Sequence, residues 1–581
     1  MPVLDNLPRE LIVRILELCD WTSIINLSQT CKTISQVTRH SKVFELHKEL
    51  QSSGYQLSQS GLQIKETGEI VRLLDDFRRF RDGWLYLKLG TPTALDCTDP
   101  DMRLYELRQG YYAAALSSSY MQPGTIKLTD LHSGYSSKIS LGVQFSEFQI
   151  DASQELLVLV AIEAHVTETS TIYLRSSDTG HSHPASLHPQ WTVRLPFNME
   201  RRSSGIFIEV MDELLAVKYV SVERNLSSIL IWNWKNGVLL NRIECLGTSC
   251  TFGFLAPDSL LLFQSTIDPS VNLVVYTDIR CSGDSSQQPQ AEYNVSSYPI
   301  ITPRFEFAFP EFPEDAIAYL LMRAEPAPTL GSTGPATFMP QPTARIIQLS
   351  MSVIQSSGPE RGLRQYQIFL SKTQILKYME IYGVMSELVP DSLVRIPWEL
   401  WGEHATRWFG TPAAMSPWIC RTYGSRFIQA HPYVGDDDGS EHPLEYLSVL
   451  EFHQPTIRRM AERGCDKHLS MWSSEEGRQH IDWNSPDEVL EYFTNSLRSK
   501  QKASAEDDAV FVDIIDETVP SCTPFNGQTL VTRLPYRVVT RRRPVPKHSG
   551  WMMDNNLIIG MPGDELENMQ NKHMTIYTPM A

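Results

Sequence analysis

Apolar residues recur at helical spacing near the start of the chain, between Leu7 and Phe44. Pro8 suits the first helical position, where its missing N–H costs nothing. Residues 21–27 and 30–39 continue the same period, so the pattern predicts three short helices. Two stripes lie side by side on the first helix: Leu7, Leu11, Ile15 and Leu18, and Ile12, Leu16 and Cys19. Two such stripes are more than about 50 residues can bury, and we therefore expect part of this surface to meet a partner.

The pattern changes after Trp84 to short runs rich in Val, Ile, Tyr, Thr and Leu, separated by Gly, Pro, Ser and Asp turns. Seven similar runs begin at residues 125, 171, 229, 273, 344, 447 and 573. The first four starts are 46, 58 and 44 residues apart, close to the blade period of about 40–45 residues in WD-type propellers. We predict an α+β multidomain chain in which residues 82–581 form an all-β propeller of about seven blades. The alternative is a large β-sandwich array, which needs no repeated strand.

A connector is predicted between these two regions. Apolar residues at near-helical spacing fill the second half of 49–81, and we expect its arginines 72, 78, 79 and 81 to form a solvated face. The chain is thus divided into a helical unit at 1–48, a helical connector at 49–81 and the propeller-like domain at 82–581. Three insertions are predicted within that domain: polar loops at 282–297 and 324–343, and a partly helical segment at 456–505.

The N-terminal pattern resembles the F-box family. The matching residues are Leu7-Pro8-x-Glu10-Leu11, Ile15-Leu16, Leu18, Leu27, Cys31 and Ile34. The chain departs from the family in Thr30-Cys31, where Val-Cys is usual, and in Phe44, where Trp is usual. The resemblance implies that the helices dock on a Skp-type adaptor, and through it on a cullin, while the downstream segment holds a protein substrate. The residues expected to contact the adaptor are Leu7, Pro8, Leu11, Ile12, Ile15, Leu16, Ile34 and Phe44.

Other parts of the chain extend the resemblance. The stretch from Ile229 to Leu240 resembles a WD repeat, with Asn233 where Asp is expected. Four further pieces are similar to large propeller-bearing F-box proteins of fungi: 396–402, 407–409, 450–452 and 554–560. That family implies no known substrate. The alternative for residues 7–44 is an amphipathic helical cap that belongs to the larger domain.

Composition and charge exclude several functional classes. The formal net charge of −17 argues against general nucleic-acid binding, which needs clustered Lys and Arg. No window approaches the about 18 apolar residues of a membrane span, and the start of the chain lacks the basic-then-apolar layout of a secretion signal. The nine cysteines contain no Cys-x-x-Cys pair and are expected to be reduced thiols. We therefore expect a cytoplasmic or nuclear protein that binds neither nucleic acid nor membrane.

No catalytic constellation stands out, and we expect neither enzymatic activity nor a cofactor. The phosphate-loop, His-Glu-x-x-His and Gly-x-Ser-x-Gly motifs are missing from the sequence. His181, His183 and His188 cluster in a Pro-bearing loop, but no second ligand pair completes a metal site, so a solvated loop is favoured. The run 436–439 lacks the alternating carboxylates of a calcium loop and is interpreted as an exposed acidic turn.

Two segments rich in one type of side chain, one basic and one containing four tryptophans, remain to be explained. Basic residues occur without acidic ones between Arg533 and Lys547, and Arg541, Arg542 and Arg543 are candidates to grip an acidic or phosphorylated substrate. A second hypothesis is that this stretch is a nuclear-import signal. The structural hypothesis is that it is a solvated hairpin edge, whose basic side chains prevent pairing with the edge of another sheet. Tryptophans 398, 401, 408 and 418 are interpreted as propeller core rather than a substrate pocket.

Three functional hypotheses follow. The first is a substrate receptor of a cullin-type ubiquitin ligase, which raises the effective concentration of a substrate near the transferring enzyme. The second is a propeller interaction scaffold whose helices serve assembly without ubiquitin transfer. The third is a propeller enzyme, against which the missing catalytic motifs argue.

Overall fold

The fold is taken from a computed structural model of the 581-residue chain. It describes residues 7–17, 19, 21–58, 67–96, 99, 101–117, 122–162, 168–199, 205–221, 223–247, 249–265, 270–280, 289–311, 316–323, 336–355, 362–386, 393–411, 420–433, 443–463, 510–517, 521–525, 528–554, 556–562 and 573–579. Within these ranges, no helix combines the length and the apolarity that a membrane crossing needs.

The N-terminal unit has one helix more than the apolar pattern predicts. Pro8 lies just before the first helix, and its carbonyl accepts the backbone N–H of Ile12 at 3.2 Å. The fourth helix contributes Phe44 to the core of this unit, whereas its later residues Leu46 and Leu50 pack on the connector. The four helices are α1 (Arg9–Glu17), α2 (Trp21–Thr30), α3 (Lys32–His40) and α4 (Lys42–Ser52).

The connector consists of a short strand, Tyr55–Leu57, and a long helix, α5 (Thr67–Leu85). The strand pairs antiparallel with Phe338–Pro340, which belongs to a segment predicted to be a polar loop insertion. Phe77 on α5 packs against Phe338 with ring centroids 5.1 Å apart. The connector is therefore packed on the β-rich region by both of its elements.

Most described strands form seven sheets of four or more strands. We number the sheets along the chain. Sheet 1 contains Met102–Arg108, Tyr111–Leu116, Thr125–Asp130 and Ser136–Ser140; sheet 2 contains Glu147–Asp151, Leu156–Ile162, Thr169–Ser176, Gln190–Arg194 and Glu292–Asn294; and sheet 3 contains Phe207–Met211, Leu214–Ser221, Leu226–Asn233 and Val238–Leu246. Sheet 4 contains Cys250–Ala256, Ser259–Ser265, Val271–Tyr276, Phe305–Ala308 and Val394–Ile396, and sheet 5 contains Ala316–Arg323, Ile346–Gln355, Gly362–Ser371 and Thr406–Thr411. Sheet 6 contains Thr422–Tyr423, Arg426–Pro432, Leu444–Glu451, Tyr536–Arg541, Val510–Ile515 and Val545–Pro546, and sheet 7 contains Gly550–Asp554, Leu557–Met561, Met574–Tyr577 and Thr93–Leu95. Ser521–Phe525 and Gln528–Thr532 form a separate hairpin.

Antiparallel neighbours within each sheet follow chain order for at least the first three strands. Sheet 7 is completed by the first strand of the β-rich region, because Thr93–Leu95 pairs antiparallel with Met574–Tyr577. Six of the seven similar runs found in the sequence lie in the third strand of a sheet, and the run at 344 lies in a second strand. These runs are therefore interior strands, with a neighbouring strand on each side.

Each sheet shares a buried apolar cluster with the next one. Sheet 7 also shares a cluster with sheet 1, where the backbone N–H of Gly110 donates to Asp554 Oδ2 at 2.6 Å. Each border is represented here by one residue from each of its two sheets. The pairs are Ala113 and Phe148 (sheets 1 and 2), Leu174 and Val217 (2 and 3), Ile231 and Leu262 (3 and 4), Leu273 and Leu349 (4 and 5), Phe369 and Phe427 (5 and 6), Val449 and Met553 (6 and 7), and Met552 and Leu107 (7 and 1).

The described parts of the insertions contain more regular structure than their composition indicates. Glu292–Asn294, from the polar segment 282–297, pairs parallel with Gln190–Arg194, and Tyr293 is fully buried between Trp191 and Trp232. The β-rich region is also not all-β, because it contains α6 (Lys372–Ser386), α7 (Trp398–Ala405) and α8 (Gln454–Arg463). The rest of the predicted segment 456–505, from residue 464, lies outside the described residues.

A buried histidine at the border of sheets 6 and 7 gives a pH prediction. His548 Nδ1 donates to the Pro546 carbonyl at 2.7 Å, and Nε2 accepts from Thr575 Oγ1 at 3.0 Å, which suits the neutral ring. Burial lowers the pKa of His548 to about 4, against about 6.5 in an unfolded chain. The unfolded state binds more protons between these pH values, so the stability that His548 contributes above pH 6.5 is lost as the pH falls towards 4.

Replacing His548 with Gln is expected to make the free energy of unfolding fall less between pH 7 and pH 5, measured by urea titration. Burial lowers the pKa of His431 and of His453 to about 4, so part of the acid sensitivity remains. Burial raises the pKa of Glu147 and of Glu209 to about 7, which acts in the opposite direction. His181→Gln, on an exposed side chain, is the control. Equal acid sensitivity of the two variants would contradict the prediction.

Candidate functional site: the N-terminal helical surface and its junction with the β-rich region

The eight side chains predicted to contact an adaptor differ in exposure. Four are buried and share the core of the N-terminal unit: Ile12, Leu16, Ile34 and Phe44. The other four reach the surface: Leu11 is 50% exposed, Ile15 is 38% exposed, Pro8 is exposed and Leu7 is half-buried. Leu11 and Ile15 are four residues apart on α1, so they lie on one face of the helix.

The expectation that all eight residues are available to contact an adaptor is therefore corrected for the buried four. The two stripes on α1 diverge: Ile12 and Leu16 face α3 and α4, whereas Leu11 and Ile15 face outwards. A fully buried side chain cannot touch a partner while its helices remain packed. The residues available for direct contact are Leu7, Pro8, Leu11 and Ile15.

A buried polar cluster joins the connector to sheet 6. Arg426 Nε lies 2.9 Å from Glu451 Oε2, and both side chains are about as buried as the apolar core. The Arg426 guanidinium also donates to the Tyr55 hydroxyl and lies 4.5 Å from the centroid of the Trp84 ring. Burial raises the pKa of the Tyr55 hydroxyl to about 12. Arg426 thus binds both connector elements to the β-rich region.

Further contacts support the same junction. Arg537 is buried and donates to the Leu85 carbonyl at 2.7 Å. Arg459 on α8 donates to Ser52 Oγ at 3.0 Å, at the end of α4. A Cβ on Gly54 would lie 2.9 Å from the His453 ring, and Gly54 has a φ of +75°, so this close approach requires glycine.

Charged residues also bridge α4 and α5. Arg78 Nη2 lies 2.7 Å from Glu45 Oε1, and Arg81 pairs with Glu49. These two arginines were expected on a solvated face, and the structure instead pairs them with carboxylates of α4. These ion pairs hold the N-terminal unit to the connector. The contacts described above hold the connector to the sheets.

The basic stretch does not form one surface. Arg533 pairs with Glu403, and Arg537 is buried. Tyr536–Arg541 is flanked by Leu444–Glu451 and Val510–Ile515, so the interpretation as a hairpin edge is wrong. Arg541 and Arg542 are half-buried at the end of this strand, and Arg543 is exposed. The Arg542 guanidinium carbon lies 5.2 Å from the centroid of the Phe511 ring.

His183 and three of the four tryptophans have structural roles. His183 is buried, with Nε2 2.9 Å from the Gln154 carbonyl and its ring packed edge-on against Trp234, so the interpretation as a solvated loop is wrong for this residue. Trp398, Trp401 and Trp408 pack in the core between sheets 4 and 5. Trp418 and the acidic run 436–439 lie outside the described residues. Across the described residues, no three His, Cys, Asp or Glu side chains are grouped so as to hold a metal.

Comparisons with known proteins locate the chain's relatives. Residues 4–46 match the F-box domain family. No curated protein matches the chain in sequence. Among solved structures, the chain is similar to the WD40 domain of SCAP from fission yeast, at 9% identity and a TM-score of 0.28, over 64% of this chain and 88% of that one.

Two other solved structures are similar over part of the chain. The β-propeller domain of the Trilobed protease from Pyrococcus furiosus matches at 9% identity and a TM-score of 0.27, over 61% of this chain and 91% of that one. The WD40 domain of Toxoplasma gondii coronin matches at 9% identity and a TM-score of 0.22, over 46% of this chain and 73% of that one. The chain thus carries an F-box domain at residues 4–46, followed by a β-rich region with propeller domains among its structural neighbours.

Proposed function

We propose that this chain is the substrate-recognition subunit of a Skp–cullin–F-box ubiquitin ligase. The F-box domain docks on a Skp-type adaptor, and through it on a cullin, while the β-rich region binds a protein substrate. The chain itself is not a catalyst, and it acts in the cytoplasm or the nucleus. The observation that carries the proposal is an F-box domain whose Leu11 and Ile15 remain exposed while its core is complete.

We further propose that the β-rich region is a closed ring of seven blades. Support comes from seven sheets of four or more strands, from a buried cluster shared between each sheet and the next, and from the cluster that sheet 7 shares with sheet 1. Pairing of Thr93–Leu95 with sheet 7 supports closure by the two ends of the region. An experimental structure with an open gap beside sheet 1, or with another number of blades, would overturn this part.

The junction around Arg426 is the second element of the proposed function. A substrate receptor is more effective when its binding domain is held at a fixed distance and angle from the adaptor. The buried Arg426–Glu451 pair, the Tyr55–Leu57 strand and α5 supply such a fixed attachment. An interaction scaffold without ubiquitin transfer would use the same attachment, and it is the alternative function.

Co-purification separates the two functions. The full chain, tagged and expressed in cells, is expected to recover a Skp-type adaptor together with a cullin. Recovery of adaptor without cullin would favour the scaffold. Recovery of neither protein would reject the F-box function.

The substrate site gives a prediction of its own. We propose that Arg541, Arg542 and Arg543 grip an acidic or phosphorylated partner, since guanidinium groups bind carboxylate and phosphate groups in bidentate geometry. Reversing all three to Glu is expected to reduce partner recovery by at least about tenfold, equivalent to about 1.4 kcal/mol. Partners captured by the wild-type chain would be quantified by mass spectrometry.

The matched control reverses three basic residues on sheet 1, Arg103, Lys127 and Lys138, which have exposed or half-buried side chains. Circular dichroism would establish that both triple variants are folded. Equal partner recovery by the two variants would remove the 541–543 surface from the proposed function.

A further inference from the structure

An exposed apolar row crosses three neighbouring strands at one end of sheet 5. Ile317 lies opposite Ile354, and Ile354 lies opposite Leu363. Residues directly opposite each other in antiparallel strands point to the same face, with Cβ atoms about 4.5–5.5 Å apart. The three residues are 56%, 39% and 60% exposed, in that order. They therefore form one continuous apolar surface rather than three separate exposed side chains.

The same face continues with Tyr319, which is two residues from Ile317 on the same strand and 51% exposed. Ser352 lies opposite Tyr319, and Gln365 lies opposite Ser352. Gln365 Nε2 donates to Ser352 Oγ at 3.4 Å. All of these side chains are uncharged. We call the exposed row together with Tyr319 the sheet 5 surface, which is apolar and bordered by neutral polar groups.

Neighbouring sheets cover the other parts of sheet 5. The opposite face, with Leu320, packs in the core shared with sheet 4. On the face of the exposed row, Phe369 packs against Phe427 of sheet 6, with ring centroids 4.9 Å apart. Phe369 lies six residues from Leu363 on the same strand. This face of sheet 5 is therefore covered by sheet 6 at one end and exposed at the other.

The exposed end points away from the attachment of the connector. At the covered end, the backbone N–H of Ile346 donates to the Gly424 carbonyl at 2.9 Å, two residues before Arg426. Ile354 is eight residues further along the strand, about 27 Å away at about 3.4 Å per residue. A partner on the sheet 5 surface would therefore not compete for space with the connector.

The size of the surface indicates what can occupy it. The four exposed fractions correspond to roughly 400 Å² of apolar surface, within the range of about 300–600 Å² for patches that are often functional on monomers. A stable dimer needs about 800 Å² from each partner, so this surface is too small to hold a second copy by itself. Its width of three strands is about 10 Å, which matches a short peptide segment.

We propose that the sheet 5 surface binds a short, uncharged apolar segment of the protein substrate. This inference rests on the proposed function of the chain as a substrate receptor and names a feature that the receptor recognises. Burial of apolar area supplies the binding free energy. A charged residue placed on this surface would lose its hydration without gaining a counter-charge, so an acidic segment is disfavoured here.

Binding of a defined probe tests this inference. The probe is a fluorescein-labelled peptide with three alternating leucines in a glycine and serine background, and a second peptide carries glutamates in place of the leucines. The full chain should bind the leucine peptide more tightly, as measured by fluorescence anisotropy. Ile354→Thr combined with Leu363→Thr should weaken this binding by at least about tenfold. Threonine keeps a β-branched shape suited to strands, so the sheet should still form.

The matched control combines Leu246→Thr with Ile300→Thr. These two residues are 64% and 50% exposed and lie at the last strand of sheet 3. The control variant should bind the leucine peptide as tightly as the wild-type chain, and circular dichroism would establish that both double variants are folded. Equal binding by the two double variants, or equal binding of the two peptides by the wild-type chain, would overturn the inference.

Adaptor recovery separates this inference from the proposed function. The Ile354→Thr and Leu363→Thr chain should recover the adaptor from cells as the wild-type chain does. If adaptor is recovered but these substitutions leave peptide binding unchanged, the inference fails and the receptor function stands. If the wild-type chain binds the leucine peptide through this surface but recovers no adaptor, the receptor function fails and peptide recognition stands.

Other occupants of the surface would give different results. A concentration-dependent dimer that the double variant dissociates, measured by sedimentation, would identify a second copy of the chain. A folded wild-type chain that binds no peptide, together with a loss of stability to urea in the double variant, would identify a segment of the chain itself. Either result would overturn the inference.

Discussion

Replacing Leu11 and Ile15 together with Ala is expected to weaken adaptor binding by more than tenfold and to leave the fold unchanged. Both side chains are exposed on one face of α1 in the free chain. Truncation of an apolar interface anchor costs about 2 kcal/mol or more, and about 1.4 kcal/mol already corresponds to a factor of ten. Because neither side chain fills the core, the free energy of unfolding should change by less than about 0.5 kcal/mol per site. Titration of labelled adaptor against the two chains measures the first effect, and urea unfolding measures the second.

Val71 supplies the matched control for this pair. It is an apolar residue on the connector helix and is 38% exposed, the same fraction as Ile15. Val71→Ala should bind the adaptor as tightly as the wild-type chain. If the double variant also binds normally, the exposed face of α1 is not the adaptor site. If the double variant unfolds, these side chains have a structural role that their exposure does not indicate.

Replacing Arg426 with Met is expected to destabilise the chain by about 3–5 kcal/mol, the usual cost of leaving one partner of a buried ion pair without its counter-charge. The Glu451 carboxylate would then be buried, with the His453 backbone N–H, 3.0 Å away, as its remaining described hydrogen bond. Tyr55 and Trp84 would also lose their contacts with the guanidinium. Urea unfolding and limited proteolysis in the connector would both report the change.

Arg194 provides the comparison for this variant. Its Nε lies 3.3 Å from Glu292 Oε1, and the two side chains are 59% and 57% exposed. Exposed pairs contribute at most about 1 kcal/mol, so Arg194→Met should have a small effect. Adding Glu451→Gln to Arg426→Met should recover part of the lost stability, because it removes the uncompensated charge. Equal losses for Arg426→Met and Arg194→Met would show that the junction does not depend on the buried pair.

The repetitive part of the fold was the most predictable from sequence. The third strand of most sheets combines β-branched and aromatic residues and is followed by a tight turn, as in Leu226–Asn233 before Gly237 at a φ of +75°. Both features are local, so they can be recognised without knowledge of the partner strands. The exception is the run at 344, whose strand extends to Gln355 and pairs in the second position of sheet 5.

The candidate site was predicted less completely because burial depends on distant segments. Arg426 and Arg537 have the side chains of surface cations, and their partners Glu451, Tyr55 and Leu85 come from other elements. In the same way, two adjacent stripes on α1 mark an amphipathic helix, but which stripe faces inwards depends on where α3 and α4 pack. Tyr293 is the clearest case, since a tyrosine in a Ser- and Gln-rich segment lies fully buried beside Trp191.

The pairing of Thr93–Leu95 with Met574–Tyr577 has a consequence for synthesis on the ribosome. The F-box helices emerge before the β-rich region and make mostly local contacts, so they can fold while the rest of the chain is still being translated. The strand Thr93–Leu95 also emerges early, yet its hydrogen-bonding partner is among the last described residues to leave the exit tunnel. Until then, both the strand and the neighbouring face of sheet 1 lack their partners and are exposed to chaperones. A protein able to bind the nascent F-box helices would therefore meet the chain before its β-rich region is complete.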